Sequence, residues 1–463
     1  MAGAVSARFP ARAALACGFY AAAIAAAPTL TTKAILAAPA AALPIAWWTI
    51  QRPARWIALF FGAALLLPPL PIEIGNSGPH PCLVLAALGI FCGALWLSEW
   101  RIPWSNLNIA LVALSAVLLT SVAQAAWHSG EIAAAGSLAR VGLFAVSVYI
   151  YFYTAHGPGL RDPRAPVRLV FAIAVVSALF ACVDFYYQFP APAGYGPQFV
   201  WLDSGVYRRA QGLFYEASTL GNFCAFFLVM IAVAFSRPRA ESPVSRKALL
   251  AGGAVFFAAL VLSYSRSSLI NIAVASAVLV WLNRKRVPLA KVALVLALAT
   301  AAGALLVWQM FPAFAEVYWL RLSGSAEYFF SATEGVLSGR VESWRLLTAW
   351  IQANPWHVFF GVGYKTLPYT DYLGSAVVAD NNYLSLLVET GIVGLGALLC
   401  LSAAILRAAA RAARSSNPQA SFYGAWMLCF WSGQMVQMFS ADVLTFWRVL
   451  PVYFWILALA VRA

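Results

Sequence analysis

Charged residues are scarce in this sequence. Asp, Glu, Lys and Arg together make up 10% of the 463 residues, and only 16 residues are acidic. In soluble globular domains about a quarter of all residues are charged, so this composition excludes that class. Hydrophobic residues account for 63% of the chain, and the mean hydropathy is +0.80. The apolar residues form long runs rather than the short alternating segments of a membrane barrel. We therefore predict an all-α, polytopic integral membrane protein.

Metal-binding patterns are also lacking. The four histidines are scattered, and the seven cysteines lie in or beside apolar runs without a CxxC pair. Such cysteines usually fill the core, and zinc or haem sites need clustered ligands. We expect no metal and no cofactor.

Fourteen apolar runs divide the chain. Because the first two are rich in alanine, we predict 12–14 transmembrane helices. The N-terminal run follows Arg8 and Arg12 like a signal sequence, but further runs follow at once, which indicates an uncleaved first helix. We divide the chain into N-terminal helices (1–200), a central region with one long loop at 312–383 that carries short helices (201–400), and C-terminal helices (401–463). The runs are 13–30, 34–50, 55–71, 82–98, 107–127, 137–155, 166–189, 218–236, 247–264, 267–283, 289–311, 384–406, 421–440 and 443–461.

The distribution of basic residues predicts the orientation. With a cytoplasmic N-terminus, about twenty of the 30 Lys and Arg residues lie on the cytoplasmic side, while the turns at 71–81 and 128–136 contain none. The positive-inside rule favours this orientation, with both termini cytoplasmic. The net charge of +14 is then explained by loops that face anionic membrane lipids, and nucleic acid is not an expected partner.

Ten basic residues do not follow this distribution. Most of them fall in three segments on the predicted outer side, at 190–217, 263–268 and 312–383. Cations that are kept there against the topological bias indicate an anion-binding site. The ten are Lys33, Arg140, Arg208, Arg209, Arg266, Arg321, Arg340, Arg345, Lys365 and Arg448.

The long loop has recognisable local structure. Residues 339–353 read as a helix with one apolar face that lies on the membrane surface or caps a cavity, and Asn354-Pro355 ends it. Glycines and a proline then interrupt regular structure until the chain re-enters the membrane at Tyr383. Glu389 lies in the next apolar run, about 13 Å deeper than Asp380 if the intervening residues are helical.

Four segments in this order resemble the O-antigen ligase and O-antigen polymerase superfamily. They are RAQGLFYEASTLGNF (209–223), LSYSRSSL (262–269), SGRxxxW with a later GVGY (338–364), and DNNYLSLLVETGIVG (380–394). The resemblance covers roughly residues 200–400. It implies a glycosyltransferase of the bacterial inner membrane with a periplasmic active site. Such enzymes move a glycan from undecaprenyl diphosphate to lipid A core or to a growing glycan, without nucleotide sugar or metal.

The resemblance also implies roles for three arginines. Arg209 and Arg266 match the two outer-side arginines that are implicated in holding the diphosphate, and Arg340 matches a basic position in the SGR motif. Physical chemistry supports these roles independently, because arginine donates paired hydrogen bonds to phosphate oxygens and stays charged when partly buried. The alternatives are that Arg266 reaches the headgroups from a helix end and that Arg340 pairs with Glu342.

The base that accepts the proton of the acceptor hydroxyl is less well defined. Ligases of this family carry a histidine in an HNxYL element where this chain has Asp380, so Asp380 is either the base or a positioning group. Glu216 and Glu389 are competing carboxylates. For Glu216 the alternative is stabilisation at a helix N-terminus, and for Glu389 it is a structural ion pair. We also predict substrate contacts for Arg208 and Tyr383.

Other functions remain open on the sequence alone. The aspartate at position 380 suits an O-antigen or exopolysaccharide polymerase, or transfer to a protein, as well as it suits a ligase. A flippase for lipid-linked oligosaccharide would also need a cationic cavity, but the absence of repeats and the one-sided cations argue against it. A purely structural membrane protein leaves the outer arginines unexplained.

Overall fold

The structure is a computed structural model. It describes residues 8–52, 54–70, 78–157, 162–192, 194–202, 205–284, 340–369, 373–374 and 377–462, together with residues 305, 308–309, 312, 315–320 and 323.

Fourteen helices are assigned in the described part of the chain. Twelve of them coincide with thirteen of the fourteen predicted apolar runs, because α5 covers two runs, and the other two lie in the predicted long loop. The run at 289–311 lies almost wholly outside the described residues, as do most of the loop at 312–339 and the turn residues 71–77. A short helical stretch occupies 315–320. The all-α prediction is therefore confirmed. The helices are α1 (Arg8–Ala26), α2 (Leu30–Ile50), α3 (Arg55–Leu66), α4 (Cys82–Leu95), α5 (Asn106–His156), α6 (Arg164–Tyr187), α7 (Ala217–Phe235), α8 (Arg246–Leu262), α9 (Arg266–Asn283), α10 (Arg340–Ala353), α11 (His357–Phe360), α12 (Asn382–Ala413), α13 (Pro418–Gln437) and α14 (Leu450–Arg462).

The long helix α5 is two antiparallel helices joined at Gly130. The φ angle of this glycine is +82°, in the left-handed region that glycine tolerates best. The Asn108 side chain bonds His156 at 3.0 Å and accepts a hydrogen bond from the Tyr151 hydroxyl at 2.9 Å. The two ends of α5 are therefore adjacent, as the two predicted runs with a turn between them require.

Several helices are long and apolar enough to cross a bilayer. By length and composition these are α5, α6, α7, α9 and α12, and shorter apolar helices lie within α1 to α4 and at α14. The chain is a multi-pass membrane protein.

One small sheet was not predicted. Strands β1 (Phe199–Leu202) and β2 (Gly205–Arg208) pair antiparallel between α6 and α7, with Val200 opposite Tyr207. This hairpin falls inside the predicted loop at 190–217. It matters for the site because Arg209 follows β2 directly.

The bundle has two distinguishable ends. At one end Arg237 bonds the Ser421 hydroxyl at 2.7 Å, Arg462 bonds the Thr154 carbonyl at 2.8 Å, and Arg164 bonds the Ala240 carbonyl at 3.2 Å. These arginines belong to the predicted cytoplasmic set. The Gly130 turn, the β-hairpin and the start of α12 lie at the other end, which we call the site end.

Helices α7, α13 and α14 form the centre of the bundle. In α14 every residue from Leu450 to Ala460 is buried, as expected of a helix that is surrounded by others. The rings of Phe226, Trp426 and Tyr453 join the three helices, with Phe226 centred 4.3 Å from Trp426 and 4.4 Å from Tyr453. This aromatic packing fixes the start of α7 beneath the site end.

The residues after α11 fold back into the bundle against a kink in α12. We call residues 361–369 the inserted segment. Its Val362 and Gly363 amides donate to the carbonyls of Val388 (3.1 Å) and Glu389 (2.8 Å), just before the kink at Gly391. Gly391 has φ +71°, and a Cβ there would overlap the Phe359 carbonyl. The kink and the inserted segment therefore depend on each other.

Replacing Gly391 with alanine tests this dependence. We expect Gly391→Ala to lower the free energy of unfolding by about 2 kcal/mol or more, because the new Cβ clashes and the positive φ is strained. SDS titration of the purified protein in mixed micelles measures the change. Gly396→Ala, on the same helix with nothing within 4 Å of the new Cβ, is the control and should be neutral or slightly stabilising. Equal behaviour of the two variants would contradict the account.

Candidate active site

Backbone hydrogen bonds place Arg209 beside the turn that carries Arg266. The Arg209 amide donates to the Gln198 carbonyl at 2.9 Å, and the Ala210 amide donates to the Leu262 carbonyl at 2.9 Å. The Arg209 side chain then donates from Nε to the Ser263 carbonyl at 2.9 Å. These bonds join two segments that are more than fifty residues apart in sequence. The bond to Ser263 lies three residues before Arg266.

The turn at 263–268 is packed against α7. Tyr264 adopts a left-handed conformation with φ +51°, Ser265 occupies the N-cap position of α9, and Arg266 is the first residue of that helix. A Cβ on Gly221 of α7 would lie 2.6 Å from the Ser265 Cβ, so only glycine leaves room for the turn at its present position. The Ser265 and Ser268 hydroxyls lie 2.8 Å apart and share a hydrogen bond.

Helix α10 brings Arg340 to the residue that precedes α12. The Arg340 Nε donates to Asp380 Oδ2 at 3.0 Å, and the Trp344 indole, one turn further on, donates to the Ala379 carbonyl at 2.6 Å. The Asp380 side chain is 44% exposed, and its φ is +45°. The partner that the described structure gives Arg340 is thus Asp380 rather than Glu342.

Five charged groups share one electrostatic environment. Burial, together with the charges of Arg340 and Arg266, lowers the pKa of Arg209 to about 10, while Glu216 and Asp380 oppose the shift. Three guanidinium groups and two carboxylates therefore act on one another at the site end. With all five ionised, the cluster carries one net positive charge, which favours an anionic ligand.

Glu216 is the least hydrated member of this cluster. It occupies the N-cap position of α7, yet its carboxylate accepts a hydrogen bond from the Thr219 hydroxyl at 2.7 Å instead of capping the helix. Burial raises its pKa above the ordinary value, and the nearby Asp380 raises it further, whereas Thr219 and Arg209 act in the opposite direction.

Three predicted substrate contacts lie outside the cluster. Arg208 forms an ion pair with Asp184 at 3.6 Å. The Tyr383 hydroxyl donates to the Met435 carbonyl at 2.7 Å, and its ring packs on Phe439. Glu389 is 1% exposed and lies 3.8 Å from the Lys365 ammonium. Their contact with substrate stays a prediction.

The sequence analysis missed the partners of two buried cations. Lys365, in the inserted segment, lies between Glu389 and Asp442 and forms ion pairs with both. Arg448 donates to the backbone carbonyls of Ala64, Leu67 and Leu213, around the end of α3 and the turn before α7. Both cations had been noted as unusual on the outer side, but only the fold shows that they hold backbone segments together.

An amide network beneath the arginines was also missed. The Asn222 amide donates to Gln434 at 2.7 Å and to Gln437 at 2.8 Å, and Asn271 donates to the same two side chains at 3.1 and 2.9 Å. The Tyr453 hydroxyl donates to Asn222 at 2.6 Å. The network ties α7, α9, α13 and α14 together below Arg266. Polar residues inside four apolar runs were the available signal.

Comparison with known families bears on this site. Residues 248–399 match the family model described as O-antigen ligase. This match covers about a third of the chain and supports a relation of that region to the O-antigen ligase superfamily. The matched region contains Arg266, Arg340 and Asp380, whereas Arg209 and Glu216 precede it. No curated protein matches the chain.

Members of the O-antigen ligase family are glycosyltransferase-like enzymes. In this chain, the matched region supplies the turn at 263–268, helix α10 and the start of α12. The β-hairpin segment that carries Arg209 completes the cluster from outside the match. The structure thus joins the family region to a part of the chain that the match does not reach.

Proposed function

We propose that this chain is an O-antigen ligase-type glycosyltransferase, which moves a glycan from undecaprenyl diphosphate to an acceptor hydroxyl on the periplasmic side of the bacterial inner membrane. The observation that carries the proposal is the grouping of Arg209, Arg266 and Arg340 at the site end, beside two carboxylates. Acceptors of this class are the lipid A core oligosaccharide or a growing glycan.

The arginines would stabilise the leaving group. As the bond between the anomeric carbon and the phosphate oxygen breaks, negative charge grows on the diphosphate. Fixed cations that are already in place lower the energy of that state without reorganisation. Arg209 is held by the Ser263 carbonyl through Nε, and this bond does not use its two terminal nitrogens. Such an arrangement provides the charge that a divalent metal supplies in other transferases.

The proposed reaction is a single displacement at the anomeric carbon. The acceptor oxygen attacks the anomeric carbon, its proton passes to a carboxylate, and the phosphate oxygen departs with the bonding electron pair. The anomeric configuration is therefore inverted. Undecaprenyl diphosphate and the lengthened acceptor are the products.

Asp380 is the proposed base. Its half-exposed carboxylate is open to an acceptor, and Arg340 fixes its orientation. Glu216 is held by Thr219 and is more enclosed, which suits a role in positioning Arg209.

A polymerase of the same superfamily is the second candidate. The observation that favours it is Asp380 itself, because ligases that resemble this chain carry histidine at that place. Both reactions use the same donor and leaving group, so they differ only in which hydroxyl attacks.

Transfer in vitro tests the function. Purified protein with undecaprenyl-diphosphate-linked glycan and lipid A core, in the presence of EDTA, should form conjugate. Arg266→Ala and Arg340→Ala should each lower the rate by about 100-fold or more, because a fixed charge that acts on the leaving group is lost.

Arg345→Ala is the matched control, since Arg345 is exposed on the same helix as Arg340; its rate should stay within about two-fold of wild type. Lengthening of the donor without conjugate would identify a polymerase. A donor that stays intact but crosses liposome membranes would contradict the transferase function.

The pH dependence distinguishes the two carboxylates. We expect Asp380→Asn to lose about 100-fold or more in rate at every pH, and Glu216→Gln to lose less than about tenfold. A base must be ionised, so the rate falls as the pH drops through its pKa. If Glu216 were the base, Glu216→Gln would abolish transfer, and the acid limb of the wild-type profile would lie above the ordinary glutamate value of 4.5, because the pKa of Glu216 is raised.

A further inference from the structure

A cavity lies on the other side of the chain segment that carries Arg209. It has a volume of about 250 Å³ and is bounded by the end of α6, the loop that follows and the segment 208–215. Arg208 and Tyr215 line it, whereas their neighbours Arg209 and Glu216 belong to the charged cluster. The wall between the cavity and the cluster is therefore one chain thick.

The size of the cavity limits what it can hold. A volume of 250 Å³ has room for about eight water molecules, which is comparable to one pyranose ring with its hydroxyl groups. An oligosaccharide does not fit. A polyprenyl chain would require a continuous apolar lining, but Asp184, Arg208 and Gln211 form part of the wall.

The charges of the lining favour a neutral polar ligand. Among the lining residues that the structure describes, Asp184 and Arg208 are the charged ones, and their charges cancel. Their 3.6 Å separation is longer than the roughly 3.2 Å limit of a good hydrogen bond. The Arg208 Nε is buried and makes no hydrogen bond within the described part of the chain. The pair therefore offers one acceptor and one donor to adjacent hydroxyl groups, and a phosphate would be repelled by Asp184.

Gln211, a further polar side chain of the wall, is already occupied. The Gln211 amide donates to the carbonyls of Gly196 (3.1 Å) and Tyr215 (2.9 Å), and its oxygen accepts from the Gln198 amide (3.2 Å). Gln211 thus shapes the cavity, and the side chains of Asp184, Arg208, Gln188 and Tyr215 supply the polar groups that face a ligand.

Aromatic rings form another part of the lining. Phe189 stacks with Phe180 at a centroid distance of 5.9 Å and with Tyr187 at 6.0 Å, and it is 46% exposed. The exposed part of these rings offers an apolar contact to the C–H groups of a sugar ring while the hydroxyls bond elsewhere. A lining that combines a charge pair with aromatic rings is that of a carbohydrate subsite.

We propose that this cavity binds one pyranose ring of the donor glycan or of the acceptor. The inference rests on the proposed function for the identity of the two substrates. The cavity lies behind Arg209 and Glu216. A sugar ring bound there would lie outside the reacting centre and would fix the position of the glycan relative to the cluster.

Equilibrium binding to the full chain in lipid nanodiscs tests the subsite. The two probes are undecaprenyl-diphosphate-linked glycan and lipid A core, and the variants are Asp184→Asn and Phe189→Ala. We expect the Kd of one probe to rise about tenfold or more in both variants, because a charged hydrogen bond or an aromatic contact is lost. The affected probe identifies the source of the sugar.

Tyr186→Ala is the matched aromatic control, since Tyr186 is 78% exposed on the same helix end and is not part of the lining. Phe189 is an exposed loop residue, so its replacement should leave the fold intact. If Phe189→Ala and Asp184→Asn keep both Kd values within about two-fold of wild type, the subsite is refuted. If the Kd changes are found but wild-type protein transfers no glycan, the proposed function fails and the subsite stands.

Discussion

The rest of the structure is arranged around one constraint, which is that three guanidinium groups are held close together at one end of a membrane protein. Like charges repel, and each charged group loses hydration when it is partly buried, so this grouping costs free energy in the empty protein. Arg209 shows the cost most clearly, because its pKa falls to about 10. The fold offsets it with carbonyl and carboxylate partners: Ser263 for Arg209 and Asp380 for Arg340. An anion that enters the cluster would relieve the repulsion.

The rest of the bundle keeps these groups in place. The buried amides of Asn222, Asn271, Gln434 and Gln437 join four helices directly below the turn that carries Arg266. The inserted segment is tied to the kink of α12 by backbone hydrogen bonds, and its Lys365 bridges Glu389 and Asp442. Each tie satisfies polar groups that would otherwise be stranded among apolar helices. Rigidity of this kind is what a cation cluster needs to act on a leaving group.

The sequence predicted the helices well, because long apolar runs have few alternatives in a bilayer. The positive-inside rule drew attention to ten basic residues, and the family resemblance selected Arg209, Arg266 and Arg340 among them. The sequence did not predict the β-hairpin, whose strands are only four residues each and lie in a loop rich in proline and glycine. It could not pair Arg340 with Asp380, or Lys365 with Asp442, because such partners are set by packing between elements that are distant in sequence. Glu342 is nearer to Arg340 in sequence, but helix α10 places Arg340 beside Asp380 at the start of α12.

The central claim is that fixed arginines, and not a divalent cation, hold the diphosphate. Its most direct test is the affinity of the purified protein for undecaprenyl diphosphate and for undecaprenyl monophosphate, both measured in EDTA. The account predicts that the diphosphate binds at least about tenfold more tightly, because its second phosphoryl group meets a further guanidinium, and that Arg209→Ala removes most of this preference. Equal affinity for the two lipids, or binding of the diphosphate only when a divalent cation is supplied, would contradict the account.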